Sequence, residues 1–569
     1  MPDSQQTDAA QALDSLCARY WDFQCEERPL AAVMGGATVE SDIVFREAPA
    51  DHVRRAATAR GMLAELAAIP QDELDPTQLA TRDMLARDLK ALDDALAVHA
   101  DLRPSLYPLG IEFTLGSALG ATSLSDSDSA ERYADRLLGV EAALEGIKES
   151  LRAGRDLGIR WPRIVIDRAM AQIAGTISAA PGDSSYMAPF RRIERRPDPC
   201  TSQAAQALAA VEDGVHPALA NLARFMADEL GGDSARETIA CTDAPAGEGW
   251  YRYLIEHFAS TDAEPDAIHA MGLEEVARLT ALCTEAASDA GFADDLAGFR
   301  QALSADPAQI APSADALRER IECLSKQIDG RIPDLFGRVP RSTYGVKSIP
   351  EALSVRLPPA YAQPAPADRS APGIHWVTSL PERLPAYMHI PLALHEAWPG
   401  HLMHVALAQE IPGLPAFRRH GAYRNMASVE GWAVYSESLG HDIDLYDTPA
   451  RRYGVYESEL WRAVRLVVDT GIHWKGWSRE VAVAYMMGHL NLPEETLATE
   501  VDRYIGYPGQ ALSYQIGNMS IRQMRDDAAR RLGSRFRLRD FHDCLMAVGP
   551  APLAVLAASV DRWVAGQTA

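Results

Sequence analysis

Residues 391–404 read Pro-Leu-Ala-Leu-His-Glu-Ala-Trp-Pro-Gly-His-Leu-Met-His. A His-Glu pair followed by a second His is a donor set for hydrolytic metal chemistry. Two imidazoles bind a divalent ion, and the carboxylate takes a proton from a water molecule that the ion makes acidic. In the usual His-Glu-x-x-His form the imidazoles lie four residues apart, about 40° around an α-helix, and share one face. Here His395 and His401 are six apart, which on an unbroken helix turns them about 120° away from each other. Pro399 and Gly400 lie between them. Proline removes a backbone donor and glycine permits unusual dihedrals, so the pair predicts a two-residue bulge that lets six residues span one turn. The rival pair is His401 with His404, at i and i+3 on unbroken helix beyond the proline.

A catalytic ion needs a third protein ligand and an open position. Glu430 follows in Ser-Val-Glu-Gly-Trp-Ala-Val-Tyr-Ser-Glu, residues 428–437, on an expected helix among aromatic residues. An acid on such an apolar face needs a partner, and a metal is one. Glu437, seven residues on, shares its face. Two His and one Glu with Glu396 as general base compose a zinc-type hydrolytic site, although Mn, Fe or Co also suit such ligands.

Most of the elements that must position these residues are helical. Apolar residues recur at helical spacing in 12–21, 56–68, 77–100, 130–157, 161–180, 204–230, 265–290 and 314–324, and again from Tyr387 to the end. The stripe Leu79, Met84, Leu85, Leu89, Leu92 and Leu96 is a core face. The Gly-bearing stretch 107–129 predicts a loop near a helix start. Strand-like pieces, 342–348 and 374–378, flank a Pro-rich stretch, 358–372. The expected fold is mainly α, one large body of 1–569 with a small β element just before the metal-binding segment. A division into an N-terminal helical lobe, 1–335, and a catalytic lobe, 336–569, is an alternative.

Composition removes several classes. The net charge is −24 from 55 basic and 79 acidic residues, the wrong sign for nucleic acid. The patch Arg191-Arg192-Ile193-Glu194-Arg195-Arg196 is expected to be a solvated face. Seven cysteines, scattered and without a CxxC pair, suit reduced thiols. The polar start, 1–12, lacks the pattern of a signal peptide, and no apolar run is long enough to span a membrane. The expected location is cytoplasmic. No Gly-x-Ser-x-Gly elbow, P-loop or dinucleotide fingerprint is present.

The combination of His395-Glu396-Ala397-Trp398-Pro399-Gly400-His401 with Glu430-Gly431-Trp432-Ala433 resembles the signature of the DUF885 family of bacterial proteins. Further similarity runs through Trp250-Tyr251, residues 265–276, 465–473, 506–514 and 541–543, and Pro552-Leu553. The family is regarded as helical, thermolysin-like (gluzincin) metallopeptidases. The resemblance implies His395, His401 and Glu430 as zinc ligands and Glu396 as general base. It also implies His473 and Tyr514 as donors to a substrate carbonyl. Arg465, Arg522 and Arg525 are candidates to hold a substrate carboxylate, with Arg525 fitting the family best. Two departures bear on substrate preference: His401-Leu402-Met403-His404 where the family tends to His-His-Leu-Gln, and Ser513-Tyr514-Gln515 where it tends to Ser-Tyr-Lys. The expected substrate is a small peptide or amino-acid conjugate, with no nucleic-acid or membrane partner. The alternatives are a metalloenzyme acting on a specialised metabolite, a catalytically silent binding protein of the same fold, and a helical scaffold.

Overall fold

The computed structural model describes residues 7–568 apart from 38, 40, 42, 356 and 367–370. The first six residues of the polar start and four of the Pro-rich stretch therefore lie outside the described residues. The sequence signals set many helix ends. Asp75, for example, caps Pro76–Ala97: its carboxylate accepts from the N–H groups of Thr77 and Gln78, and Gln78 returns the bond to Asp75. The mainly α expectation holds. No helix among the described residues is long and apolar enough to cross a membrane.

The stretch expected as a loop, 107–129, instead contains a helix, Ile111–Ala121. Its glycines mark close packing: a Cβ at Gly116 would lie 2.9 Å from Ser185 Oγ, and one at Gly120 3.1 Å from Ser185 O. The basic patch closes the end of this helix and is not simply solvated. Arg192 donates to the carbonyls of Gly120 and Thr122, and Arg196 to that of Leu124.

The sheet has three strands, β1 (Tyr344–Ser348), β2 (Ala360–Gln363) and β3 (Gly373–Val377), in the order β1-β3-β2. β1 runs parallel to β3, with Tyr344 opposite Gly373, and β2 runs antiparallel, with Ala360 opposite Val377. β2 lies inside the Pro-rich stretch, where no strand was expected. It sits at an edge between Pro359 and Pro364, a place that tolerates flanking prolines.

Seven helices position the site: α1 (Pro265–Ala287), α2 (His389–Glu396), α3 (His401–Gln409), α4 (Met426–Ser438), α5 (Pro449–His473), α6 (Glu494–Gly506) and α7 (Ser513–Leu532). α5 is central and packs along α1. From Tyr453 to His473 every residue except Tyr456 and Trp461 is buried, including Glu457, Glu459, Arg462, Arg465 and Asp469. Charges so placed require partners. α4 crosses α7 backbone to backbone: a Cβ on Gly431 would lie 2.4 Å from Gly517 Cα, and one on Gly517 1.9 Å from Ala427 O. The core does not divide at 335/336. One large cluster joins Leu13, Tyr20 and Leu85 to Leu394, Trp432 and Phe541. The other joins Leu137 and Phe225 to Leu460 and Tyr504.

Candidate metal centre

The segment carrying the two histidines is a broken helix, not a bulged one. α2 ends at Glu396, Ala397 leaves helical geometry at φ −91°, ψ −125°, and α3 begins at His401. The Trp398–Pro399 peptide is cis. Pro399 cannot supply the N–H that a continuous helix needs. Gly400 lies against the last carbonyls of α2, where a Cβ would come within 1.9 Å of His395 O. Trp432 of α4 holds the connector by donating Nε1–H to Pro399 O at 2.9 Å. His395, in the last turn of α2, and His401, the first residue of α3, are thereby brought together, with ring centroids 4.8 Å apart and planes at 88°.

The expected donors converge. Ligand atoms of His395, Glu396 and His401 all lie within 4.8 Å of one another. Glu430 Oε2 is 3.4 Å from His401 Nε2 and 3.7 Å from His395 Nε2. The remaining nitrogen of His395, Nδ1, meets Glu437 Oε1 at 2.8 Å, and Arg462 Nη2 stands 3.3 Å from the same oxygen. A ligand imidazole oriented by a buried carboxylate is a recurrent metal-site device. The charge pattern agrees with it. Burial disfavours a proton on His395, but Glu430 and Glu437 outweigh burial and raise it to about 9. Burial likewise opposes ionisation of Glu430, yet His401 and His395 hold it below the usual carboxylate range. A divalent cation satisfies the same set of groups.

The two carboxylates nearest the imidazoles differ in their company. Glu430 is engaged by both rings, whereas Glu396 has no hydrogen-bond partner among the described residues. His404 is absent from the converging group. It packs on the Trp432 ring, 5.6 Å between centroids, and burial, reinforced by His401, depresses it to about 3. Of the two pairings, His395 with His401 is the one whose ligand atoms converge. The spacing argument gave no role to His375 of β3. Its ring is 1% exposed with both nitrogens unpartnered among the described residues, and burial and His395 depress it to about 3.

The other expected residues divide. Tyr514, half-buried on α7, belongs to the site side. Its ring lies under the Arg465 guanidinium at 4.5 Å, and it sits one turn before Gly517, at the crossing next to Glu430. His473 is not available as a donor to substrate. Its Nδ1 accepts from the N–H of Cys241 at 3.1 Å and its Nε2 meets Tyr504 O at 2.9 Å, so both nitrogens serve the backbone. Arg525 is likewise committed, forking onto Asp442 at 2.9 and 3.2 Å and touching the Tyr435 hydroxyl. Arg522 pairs with Glu459. Gln515, where the family tends to lysine, inserts its amide between Glu275 and Glu459; it belongs to a buried brace between α1, α5 and α7, not to a pocket. Tyr423 went unnoticed in the sequence, with its ring centroid 6.4 Å from that of His401. It is 42% exposed, yet burial, Glu430 and Glu396 all push its hydroxyl upward.

A helical body with a His/His/Glu donor set and a free neighbouring carboxylate defines a candidate metalloprotein. The family model described as "Bacterial protein of unknown function (DUF885)" matches residues 29–560, and the chain belongs to that family. Among solved structures, one named as a putative lipoprotein from Colwellia psychrerythraea superposes with a TM-score of 0.90 at 26% identity, over 99% of this chain and 100% of that one. A second, named as a putative lipoprotein of unknown function from Shewanella oneidensis, shares the fold with a TM-score of 0.72 at 17% identity, over 97% and 99%. No curated protein matches.

Proposed function

We propose that the chain is a metal-dependent hydrolase that cleaves an amide bond in a small peptide or amino-acid conjugate, with zinc held by His395, His401 and Glu430. One observation carries this: the Nε2 atoms of two histidines meet a single oxygen of Glu430 while Glu396 beside them is unpartnered. Imidazole nitrogens and a carboxylate suit zinc, which when bound supplies Lewis acidity to a carbonyl and acidifies water. The chain's own residues do the rest. Glu396 takes a proton from the attacking water and returns it to the leaving nitrogen. The Tyr514 hydroxyl donates toward the oxygen on which negative charge develops. Glu437 fixes the tautomer of His395 so that Nε2 faces the ion. All seven cysteines are free, which suits a reducing compartment; the name borne by the two solved relatives favours an envelope location, and cell fractionation decides between them.

Elemental analysis and turnover test the proposal together. The purified protein should carry about one zinc per chain and lose it on His395→Ala. Glu396→Gln should keep the metal and abolish hydrolysis across a panel of peptides and acyl-amino acids. A wild-type protein without stoichiometric metal, or a fully active Glu396→Gln, overturns the assignment.

A further inference from the structure

Arg465 of α5 and Arg503 of α6 form a pair with one carboxylate between them. Arg465 Nη2 and Arg503 Nη1 approach the same oxygen of Glu500, at 3.3 and 3.0 Å. The Tyr504 hydroxyl also donates to that oxygen, at 2.9 Å. One negative charge therefore faces two positive ones. The guanidiniums are held in fixed poses: Arg465 by Tyr504 and by stacking over Tyr514, Arg503 by Gln510 Oε1 at 2.5 Å. Arg465 is only 5% exposed, yet its Nη1 has no hydrogen-bond partner among the described residues, and neither has Arg503 Nε. Arg503 is less enclosed, its side chain 21% exposed, and donors left over on two immobilised arginines at an accessible edge suit an anion that the protein does not itself supply.

The position relates this pair to the centre. At the α4/α7 crossing Gly431, the residue after Glu430, lies against Gly517, three residues after Tyr514, and Tyr514 carries Arg465 on its face. Burial opposes the charge on Arg503, but Glu500, Tyr514, Tyr504 and Glu430 restore it above the usual guanidinium range. Glu430 is thus within electrostatic reach.

We propose that Arg465 and Arg503 anchor a free carboxylate of the substrate, so that the site selects peptides or conjugates with an ionised end close to the scissile amide. This rests on the hydrolase reading and deepens it. Of the three arginines expected as anchors it keeps Arg465, sets aside Arg525 and Arg522, whose forks are taken up by Asp442 and Glu459, and adds Arg503, which shares one carboxylate with Arg465. Planar carboxylate matches the forked geometry of guanidinium, and an amidated end offers no negative charge to these donors.

The test separates binding from turnover. Zinc-loaded Glu396→Gln protein is titrated calorimetrically with a panel of N-acyl amino acids, N-acyl dipeptides and N-acyl tripeptides, each as the free acid and as the C-terminal amide. At least one acid should bind tenfold or more tightly than its amide. In the Arg503→Gln background that preference should fall to within about twofold, Arg503→Lys should recover part of it, and Arg525→Gln should leave it unchanged. If Arg503→Gln fails to fold, Arg465→Lys takes its place, and the acid–amide comparison needs neither. Equal affinities, a preference that survives Arg503→Gln, or a panel in which nothing binds overturns the anchor. Absence of hydrolysis by wild-type protein, with the acid preference intact, overturns the hydrolase and leaves the anchor standing.

Discussion

Glu437 shows how a site depends on a residue that touches no substrate. It accepts from His395 and answers Arg462 in the interior of the molecule. Glu437→Gln keeps an acceptor for His395 but removes the charge, so affinity for zinc should fall about 10–100-fold, read by competition with a chromophoric chelator. Unchanged affinity would mean that orientation alone is needed. Asp469 makes a second case. It is 0% exposed, and burial raises it from 3.8 to about 7 against the opposing bonds from Tyr251 and Gly509. In the unfolded chain the carboxyl ionises near its ordinary value; in the folded chain it keeps its proton until near pH 7. Between these values the unfolded state loses the proton first, so this group's contribution to stability declines as pH rises, by about 1.4 kcal/mol per unit at its steepest. Asp469→Asn should remove that part of the slope, seen as a flatter urea midpoint between pH 4.5 and 7 than in wild type. The residues legible from sequence were those whose types are rare together: His395, Glu396, His401 and Glu430. Arg503 was not legible, because an arginine three residues after Glu500 on an amphipathic helix has the pattern of a surface pair. Arg525 misled for the converse reason, since its partner Asp442 is distant in sequence and only the fold brings them together.

At the scale of elements, the decisive unit is the four-residue connector between α2 and α3. The proline and glycine announced an interruption, and its form, a full stop and restart, depends on Trp432 and on carbonyls that sequence does not display. Gly400→Ala would drive a methyl into His395 O. The expected result is loss of zinc with helical content retained, compared by elemental analysis and circular dichroism; a variant that binds normally would show that the connector can shift. The α4/α7 crossing behaves similarly. Gly517→Ala places a Cβ 1.9 Å from Ala427 O, and overpacking of this kind costs about 1–3 kcal/mol, measurable as a lowered denaturant midpoint. The helix at Ile111–Ala121 escaped notice because glycine signals both a break and a close contact, and Ser185 is what distinguishes them.

The whole molecule is knit from both ends. Tyr20 donates to Asp88 and receives a bond from Arg424, and Arg418 reaches Thr81. Both large hydrophobic clusters mix residues from before and after 335. Fragments 1–335 and 336–569 made separately should therefore fail to fold, judged by near-ultraviolet dichroism and protease resistance; a folded fragment would restore the two-lobe division. The same interdependence bears on descent. Trp432 donates to Pro399 across 33 positions of chain, so the histidine motif and the glutamate motif form one mechanical part. A lineage that alters the tryptophan releases the connector that spaces the histidines, and one that replaces the proline frees the backbone whose carbonyl the tryptophan holds. The two motifs should therefore be inherited, lost or rebuilt together, as a single heritable unit written in two places.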